Sequence, residues 1–362
     1  MEGLYKYNHK DYPNFTYDSN KVQTLLSSTD RAYGRIMGRF QDASLDVRNE
    51  VMLSTMTEEV VFTAEIEGHR LDPEDVRNSI RKSMGFDSTK KRFVSDSNVG
   101  VLIDSVAHKD RKLSHEVLFH WHRLFFPNGN PDDPDMPVGD YTNERMVIRS
   151  SSGKIVYMAP PLDRVRSDMN MFLMWFNSDQ THPFIKEGIA HLWFEIIHPF
   201  ADGNGRIGRA IIDTVLAKEF DSSLRSIGIS SYLSKRKKDY YSQLEYHSKG
   251  GMDVTEFVIW FLQAVEGAIQ LANDRLDSLL RRDKFWAKYG GVKFNSRQIK
   301  VINTMLSDDF DGVMTIGKWS IICKTSFDSA SRDIEELLEL KVLEETTNQK
   351  RNKKFRISDF FG

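Results

Sequence analysis

Apolar residues recur at steps of three and four through most of the chain, the period of one face of an α-helix. Val22, Leu25, Leu26, Ala32, Ile36, Met37 and Phe40 mark a first helix from Asn20, and Val47, Val51, Met56, Val60 and Ala64 a second. The second stops at Gly68, a residue type suited to helix C-termini. Asp72-Pro73-Glu74-Asp75 has the N-cap, first-turn proline and acidic first turn of a further amphipathic helix over 76–84. Helical spacing returns at 162–176, at Ile189–Ile197, at Ala210–Ala217, from Ser234, and over 255–282, where Phe257, Trp260, Phe261, Ala264 and Ala268 form the core face. Period-two signals are scarce. Met146–Met158 holds two β-prone runs around Ser150–Gly153 and reads as a hairpin ended by Pro160-Pro161. Residues 1–18 read as an extended arm with aromatic anchors, Tyr12 to Tyr17 among them, and Pro127 to Pro137 as an irregular loop.

The last stretch changes character. After a linker expected over 283–294 come a helix over 297–306, a short helix near Lys318–Cys323, a third over 325–338, and two β-prone runs flanking the basic turn Thr346–Lys354. This order resembles a winged helix, with Ser326 or Ser329 at the start of the recognition helix and the basic turn as the wing. Residues 295–362 carry eleven basic and eleven acidic residues, so no net field favours DNA over protein docking or self-regulation. The whole chain, at 362 residues and a formal charge of −2, is expected to form two or three domains without an affinity for polyanions in general. One cysteine, Cys323, precludes an internal disulfide and a thiolate zinc site, which fits a reducing compartment. No apolar run has signal-peptide or membrane-span length, so a cytoplasmic protein is expected. Lys90-Lys91-Arg92 is expected at the surface. His115, His120 and His122 lack zinc-site spacing and are expected to be ordinary helix residues.

Candidate chemistry concentrates in His198-Pro-Phe-Ala-Asp-Gly-Asn-Gly-Arg-Ile-Gly-Arg209, between two apolar helical runs. Pro199 disfavours helical geometry at His198, and Gly203 and Gly205 permit positive φ, so successive N–H groups can converge as an anion-binding nest at a helix start. Arg206 and Arg209, three apart on the first turns, add positive charge to the positive end of the helix dipole. Such a pair suits a polyanion or an intervening carboxylate. Asp202 cannot face a bare phosphate but can hold Mg²⁺ that bridges phosphates. His198 is suited to taking a proton from a hydroxyl. The plainer alternative is a glycine-rich loop with solvated charges.

All defined positions of this stretch match the signature of the Fic family, which the chain resembles: His-Pro-Phe-x-Asp/Glu-Gly-Asn-Gly/Lys-Arg-x-x-Arg. The resemblance implies a mainly α protein: a Fic-type helical core with a small β-hairpin flap, a helical N-terminal region and the C-terminal winged helix. The domains expected are 1–95, the core 96–282, the linker 283–294 and 295–362. It further implies transfer of AMP from ATP to a Ser, Thr or Tyr hydroxyl of a target protein, with His198 as base and Asp202 on Mg²⁺. Gly203, Asn204, Gly205, Arg206, Gly208 and Arg209 would bind the phosphates, with Tyr240 beside the base. Thr63-Ala-Glu-Ile-Glu67-Gly68 resembles the family's inhibitory motif, which would set Glu67 against Arg209 in place of the γ-phosphate. Ile155, Val156, Tyr157 and Met158 would form the flap that holds the target by strand addition. The segment around Tyr12–Phe15 and the two helices after it resemble the N-terminal region of one bacterial branch of the family. Ser248 stands where many relatives have Asn, which leaves the nucleotide open, and Gly205 in place of Lys argues against the kinase-like variant. Removal of AMP, another nucleotide, a DNA-binding regulator with a nucleotide-sensing core, self-modification and a homodimer remain alternatives or additions.

Overall fold

In the computed structural model, residues 5–85, 96–108, 110–149, 153–219, 227–307, 310, 312–346 and 353–359 are described. The basic stretch Lys90–Arg92, the turn residues Ser150–Ser152 and the middle of the basic turn, 347–352, lie outside them. The chain divides into two units, Met1–Asp42 with Met52–Ala272, and Ala43–Val51 with Asn273–Gly362.

The first unit is built around two helices, α7 (Pro183–Ile197) and α8 (Asn204–Glu219). Pro183 opens α7, which is apolar on nearly every side and buries most of its residues, as a central helix must. It ends at His198, whose φ of 50° and ψ of 59° leave the helical region. The turn 198–203 joins α7 to α8, and together they meet α4 (Asp96–Ala107), α5 (His115–Phe125) and α6 (Leu162–Ser178). Trp121, Phe172, Phe194 and Phe200 fill the core between these elements.

Expected helices appear as α1 (Ser19–Asp42), α2 (Leu45–Ile66) and α3 (Pro73–Ser83). Asp72 caps α3, its carboxylate accepting from the N–H groups of Glu74 and Asp75 at 2.8 and 3.1 Å. α2 closes in a Schellman turn: Gly68, at φ +88°, donates to Glu65 O and His69 donates to Ala64 O. That closure places Glu67 at the cap position with its side chain free to leave the helix cylinder. The expected hairpin forms from β1 (Val147–Arg149) and β2 (Ile155–Met158), antiparallel, with Ile148 opposite Tyr157 and an irregularity after Ile148. The pattern from Ser234 becomes two helices, α9 (Ser230–Lys235) and α10 (Lys237–His247), broken at Arg236. The aromatic arm pairs with the segment after α10: Lys6 N–H donates to Ser248 O, and Thr16 exchanges main-chain bonds with Met252 and Val254.

The second unit has its own core of Phe285, Val301, Trp319, Ile334, Leu337 and Phe355 among others. It runs α12 (Ser296–Met305), α13 (Ile316–Cys323), α14 (Phe327–Glu339) and an antiparallel pair β3 (Leu343–Glu345) and β4 (Phe355–Ile357), the order read from the sequence. Ser326 caps α14. One expectation needs correction. α11 (Thr255–Lys288) continues six residues beyond 282, and Phe285 is fully buried, so the first half of the expected linker is helix. The charged run Arg281–Lys284 conceals an apolar edge, Phe285, Trp286 and Tyr289, that folds into this core.

Candidate active site

His198 sits at the junction of helix and loop, and its left-handed backbone turns the ring back towards the last turn of α7. Its Nδ1 lies 3.4 Å from Glu195 Oε2, an ion-pair distance whose geometry falls short of a hydrogen bond. Phe200 anchors the loop: it is fully buried and lies flat on the His122 ring, centroids 4.5 Å apart. Asn204 locks that anchor from the other side, accepting from Phe200 N–H at 2.9 Å and donating to Phe200 O at 2.7 Å. Both ends of the Asn204 amide thus serve to shape the loop.

His122, expected to be an ordinary helix residue, has a definite task here. Its Nδ1 accepts from Gly139 N–H at 2.9 Å and its Nε2 faces Asp202 O at 3.2 Å. Burial pushes its pKa down to about 4, so the ring is neutral and its tautomer follows from these two partners. It thus holds the carbonyl of the residue expected to carry the metal. The Asp202 carboxylate accepts from Gly203 N–H at 2.5 Å, just before α8, and meets Arg206 at 3.7 Å and the Asn130 amide at 3.4 Å. About half of this side chain is exposed. Among the described residues no group of three or more acids, histidines and cysteines could hold a metal alone. Mg²⁺ nevertheless fits, because it is commonly bound by one or two carboxylates with substrate phosphates completing its shell.

The two arginines are set differently. Arg206 lies across the rings of Phe125 and Phe126, 4.6 and 5.0 Å from their centroids, and burial lowers its pKa. Arg209 is 1% exposed and clamped by α2: its Nη2 donates to Glu67 Oε1 at 2.6 Å and to Thr63 O at 3.1 Å, and its Nε donates to Thr63 Oγ1 at 2.7 Å. Burial opposes its charge, but Glu67 and Tyr240 outweigh that and hold the pKa above the ordinary value. The sequence-predicted pairing of Glu67 with Arg209 is present in this geometry. α10 grips the same helix end, with Tyr241 OH donating to Ile66 O at 3.1 Å and Lys237 Nζ donating to Glu65 O at 3.4 Å.

The glycines divide by purpose. Gly203 has φ +82°, as the turn requires. A Cβ on Gly205 would overlap Glu67 Oε1, so the absence of a side chain admits the carboxylate to the helix start. Gly208, expected at the phosphates, is the fifth residue of α8 and lies beyond the four free N–H groups. A Cβ there would stand 3.0 Å from both Glu195 Oε1 and His191 Nδ1, so its smallness serves packing against α7.

Glu67, His198, Gly205, Tyr240, Val156 and Tyr157 line one cavity of about 820 Å³, with Arg149 from the flap and Tyr241, Glu245 and Ser248 from α10. Ile155 is partly exposed and Met158 half-buried, and neither lines this cavity. Tyr157 is buried, donates its hydroxyl to Ile196 O and meets the ring of Tyr5 edge-on, so it pins the flap and offers a target only its backbone. Tyr240 lines the cavity from a buried position. It is 1% exposed, with its hydroxyl 2.7 Å from His191 Nε2 and 3.4 Å from Arg209 Nη1, which makes it a brace for the arginine. The neighbouring Tyr241 is 41% exposed and lines the same cavity.

A family model described as Fic/DOC family matches residues 112–216, and one described as a domain of unknown function, DUF4172, matches 5–86. Residues 112–216, which hold the hairpin and the loop of His198, thus match a Fic domain. A "Probable protein adenylyltransferase" of Aquifex aeolicus is 28% identical over 123 residues, 34% of each chain. The protein adenylyltransferase fic-1 of Caenorhabditis elegans is 22% identical over 69% of this chain and 48% of that protein. This chain therefore spans about half or less of these curated relatives. In fold it is similar to a Fic family protein from Desulfovibrio desulfuricans, with a TM-score of 0.55 and 19% identity over 96% of this chain and 98% of that one. A solved part of Fic-1 from C. elegans gives a TM-score of 0.50 and 19% identity over 70% of this chain and 72% of that one. Among the described residues no helix is long and apolar enough to cross a membrane.

Proposed function

We propose that this chain is a protein adenylyltransferase that moves AMP from ATP to a Ser, Thr or Tyr hydroxyl and is held back by Glu67. The observation that carries the reading is the contact of 2.6 Å between Arg209 of α8 and Glu67, which lines the cavity together with His198. The phosphates lie at the helix N-terminus around Gly203–Gly205, where free N–H groups and the dipole favour anions. Arg206 and Arg209 take the phosphate charge, Arg209 that of the γ-phosphate. Asp202 would hold Mg²⁺, which would supply neutralisation of phosphate charge. The acceptor hydroxyl attacks the α-phosphorus, the bond to the β-phosphate oxygen breaks, and pyrophosphate leaves. His198 takes the hydroxyl proton. The free edge of the flap strand Ile155–Met158 registers the target by main-chain hydrogen bonds.

With Glu67 on Arg209, the room and charge needed by the γ-phosphate are occupied, so activity is low until the carboxylate moves. Incubation with labelled Mg-ATP tests this: Glu67→Gly raises self-modification and labelling of a target, and His198→Ala abolishes both. Unchanged rates in Glu67→Gly would remove Glu67 from control. Glu67 positioned on a water would also suit removal of AMP from a modified target, which release of labelled AMP would detect. The partners are then a target protein and, in self-modification, a second copy of the chain. DNA binding is the weaker reading for the second unit, since α14 exposes Asp328, Glu335, Glu336 and Glu339 against one cation, Arg332. A sequence-specific gel shift at moderate salt would reverse that order.

A further inference from the structure

The reaction proposed above needs one ring nitrogen of His198 to accept a proton, and the other must be told where to point. Nδ1 lies 3.4 Å from Glu195 Oε2, and the two side chains are only 14% and 12% exposed. They stand three residues apart at the end of α7, where residues at that spacing share a face. The left-handed backbone of His198 folds its ring over that face. Neither His198 Nδ1 nor Glu195 Oε1 has a hydrogen-bond partner among the described residues. Oε1 faces the backbone of Gly208, where a Cβ would stand 3.0 Å from it. Burial favours the neutral form of Glu195, but His198, then His191 and Arg209, outweigh it and keep the carboxyl below its usual range. A charged carboxylate is thus enclosed behind the ring.

The geometry points to Glu195 as the positioning residue of His198: its carboxylate holds the Nδ1–H tautomer, leaves the Nε2 lone pair to the cavity, and offsets the charge the ring gains. This rests on the adenylyl-transfer reading. As the oxygen–phosphorus bond forms and the bond to pyrophosphate breaks, the hydroxyl proton goes to Nε2. Nδ1–H stays on the ring, and its contact with Glu195 strengthens because the ring is then a cation. The other charged groups lining the cavity are Glu67 from α2, Arg149 from the flap, and Lys238 and Glu245 from α10, with Arg209 of α8 beside Glu67.

The test uses the full chain in the Glu67→Gly background. Glu195→Gln keeps the shape and removes the charge. Self-modification is expected to fall roughly 10–100-fold in kcat with KM for ATP within about twofold, and the acid limb of the kcat profile moves to lower pH. A residue that only fills space would lower the thermal midpoint and leave that limb in place, which would overturn the assignment. Imidazole ¹⁵N spectra give a readout independent of turnover, with the His198 signals assigned by their loss in His198→Ala. The parent shows Nδ1–H for His198 above pH 8, and Glu195→Leu loses that preference. The same tautomer in both would also overturn it. A parent without AMP transfer would count against the proposed function, and the spectra would still decide the role of Glu195.

Discussion

Two adjacent tyrosines separate what a motif specifies from what packing decides. Tyr240 and Tyr241 are equivalent in the sequence, yet the helix phase of α10 buries the first between His191, Trp260 and Arg209 and leaves the second 41% exposed. Tyr240→Phe should therefore cost about 1–2 kcal/mol of stability, since it leaves a buried imidazole and guanidinium short of a partner. Tyr241→Ala should instead raise KM for ATP, and equilibrium unfolding with ATP titration measures both. Gly205 gives a sharper prediction. An added methyl collides with Glu67 Oε1, so Gly205→Ala should destabilise the parent by about 1–3 kcal/mol and the Glu67→Gly variant by much less. A thermal or urea double-mutant cycle reads the difference. His198, Asp202, Arg206, Arg209 and Glu67 were legible because charge and glycine stood at motif spacing. Thr63, His122, His191 and Tyr241 were not, because each is common in helices and matters only through a neighbour distant in sequence.

At the scale of elements, helix boundaries followed capping chemistry. Asp72-Pro73 and Gly68 set the start of α3 and the end of α2 as local rules require. The break at Arg236 and the extension of α11 to Lys288 carried no such punctuation. α5 illustrates how an element supports a site from behind: His122 braces the carbonyl of Asp202 and the ring of Phe200 from one position. Its pKa of about 4 in the fold, against an ordinary value near 6.5, fixes a pH dependence. The unfolded chain takes up the proton first, so this contribution is complete above about pH 6.5 and is lost as pH falls towards 4. His191 and His247, also pushed to about 4 by burial, act in the same direction, while Asp168, raised to about 6 by burial, opposes them over the same range. Urea unfolding at pH 7 and pH 5 should show a smaller acid loss in His122→Gln than in the parent.

At the scale of the molecule, each unit has its own core, and their boundaries fall inside α2 and α11. Sequence punctuation cannot mark such a boundary, because a helix that serves two cores keeps its period throughout. The second unit is tied by Asp333, which is buried and accepts from Arg297 at 2.7 Å with both oxygens, and from Asn295 at 2.8 Å. Asp333→Ala should lower the thermal midpoint of that unit by roughly 4–8 °C while Mg-ATP turnover of the Glu67→Gly background persists. Calorimetry beside a labelling assay checks it.

The hold of Thr63 on Arg209 has a consequence for how this chain could respond. Two of the guanidinium's bonds go to Thr63, so the departure of Glu67 would leave its plane and position in place. Opening the site then requires one partly exposed side chain to break its ion pair and rotate, with no helix withdrawn. The arginine's rotamer entropy is already lost in the resting fold, so an arriving phosphate would meet a receptor that needs no further ordering.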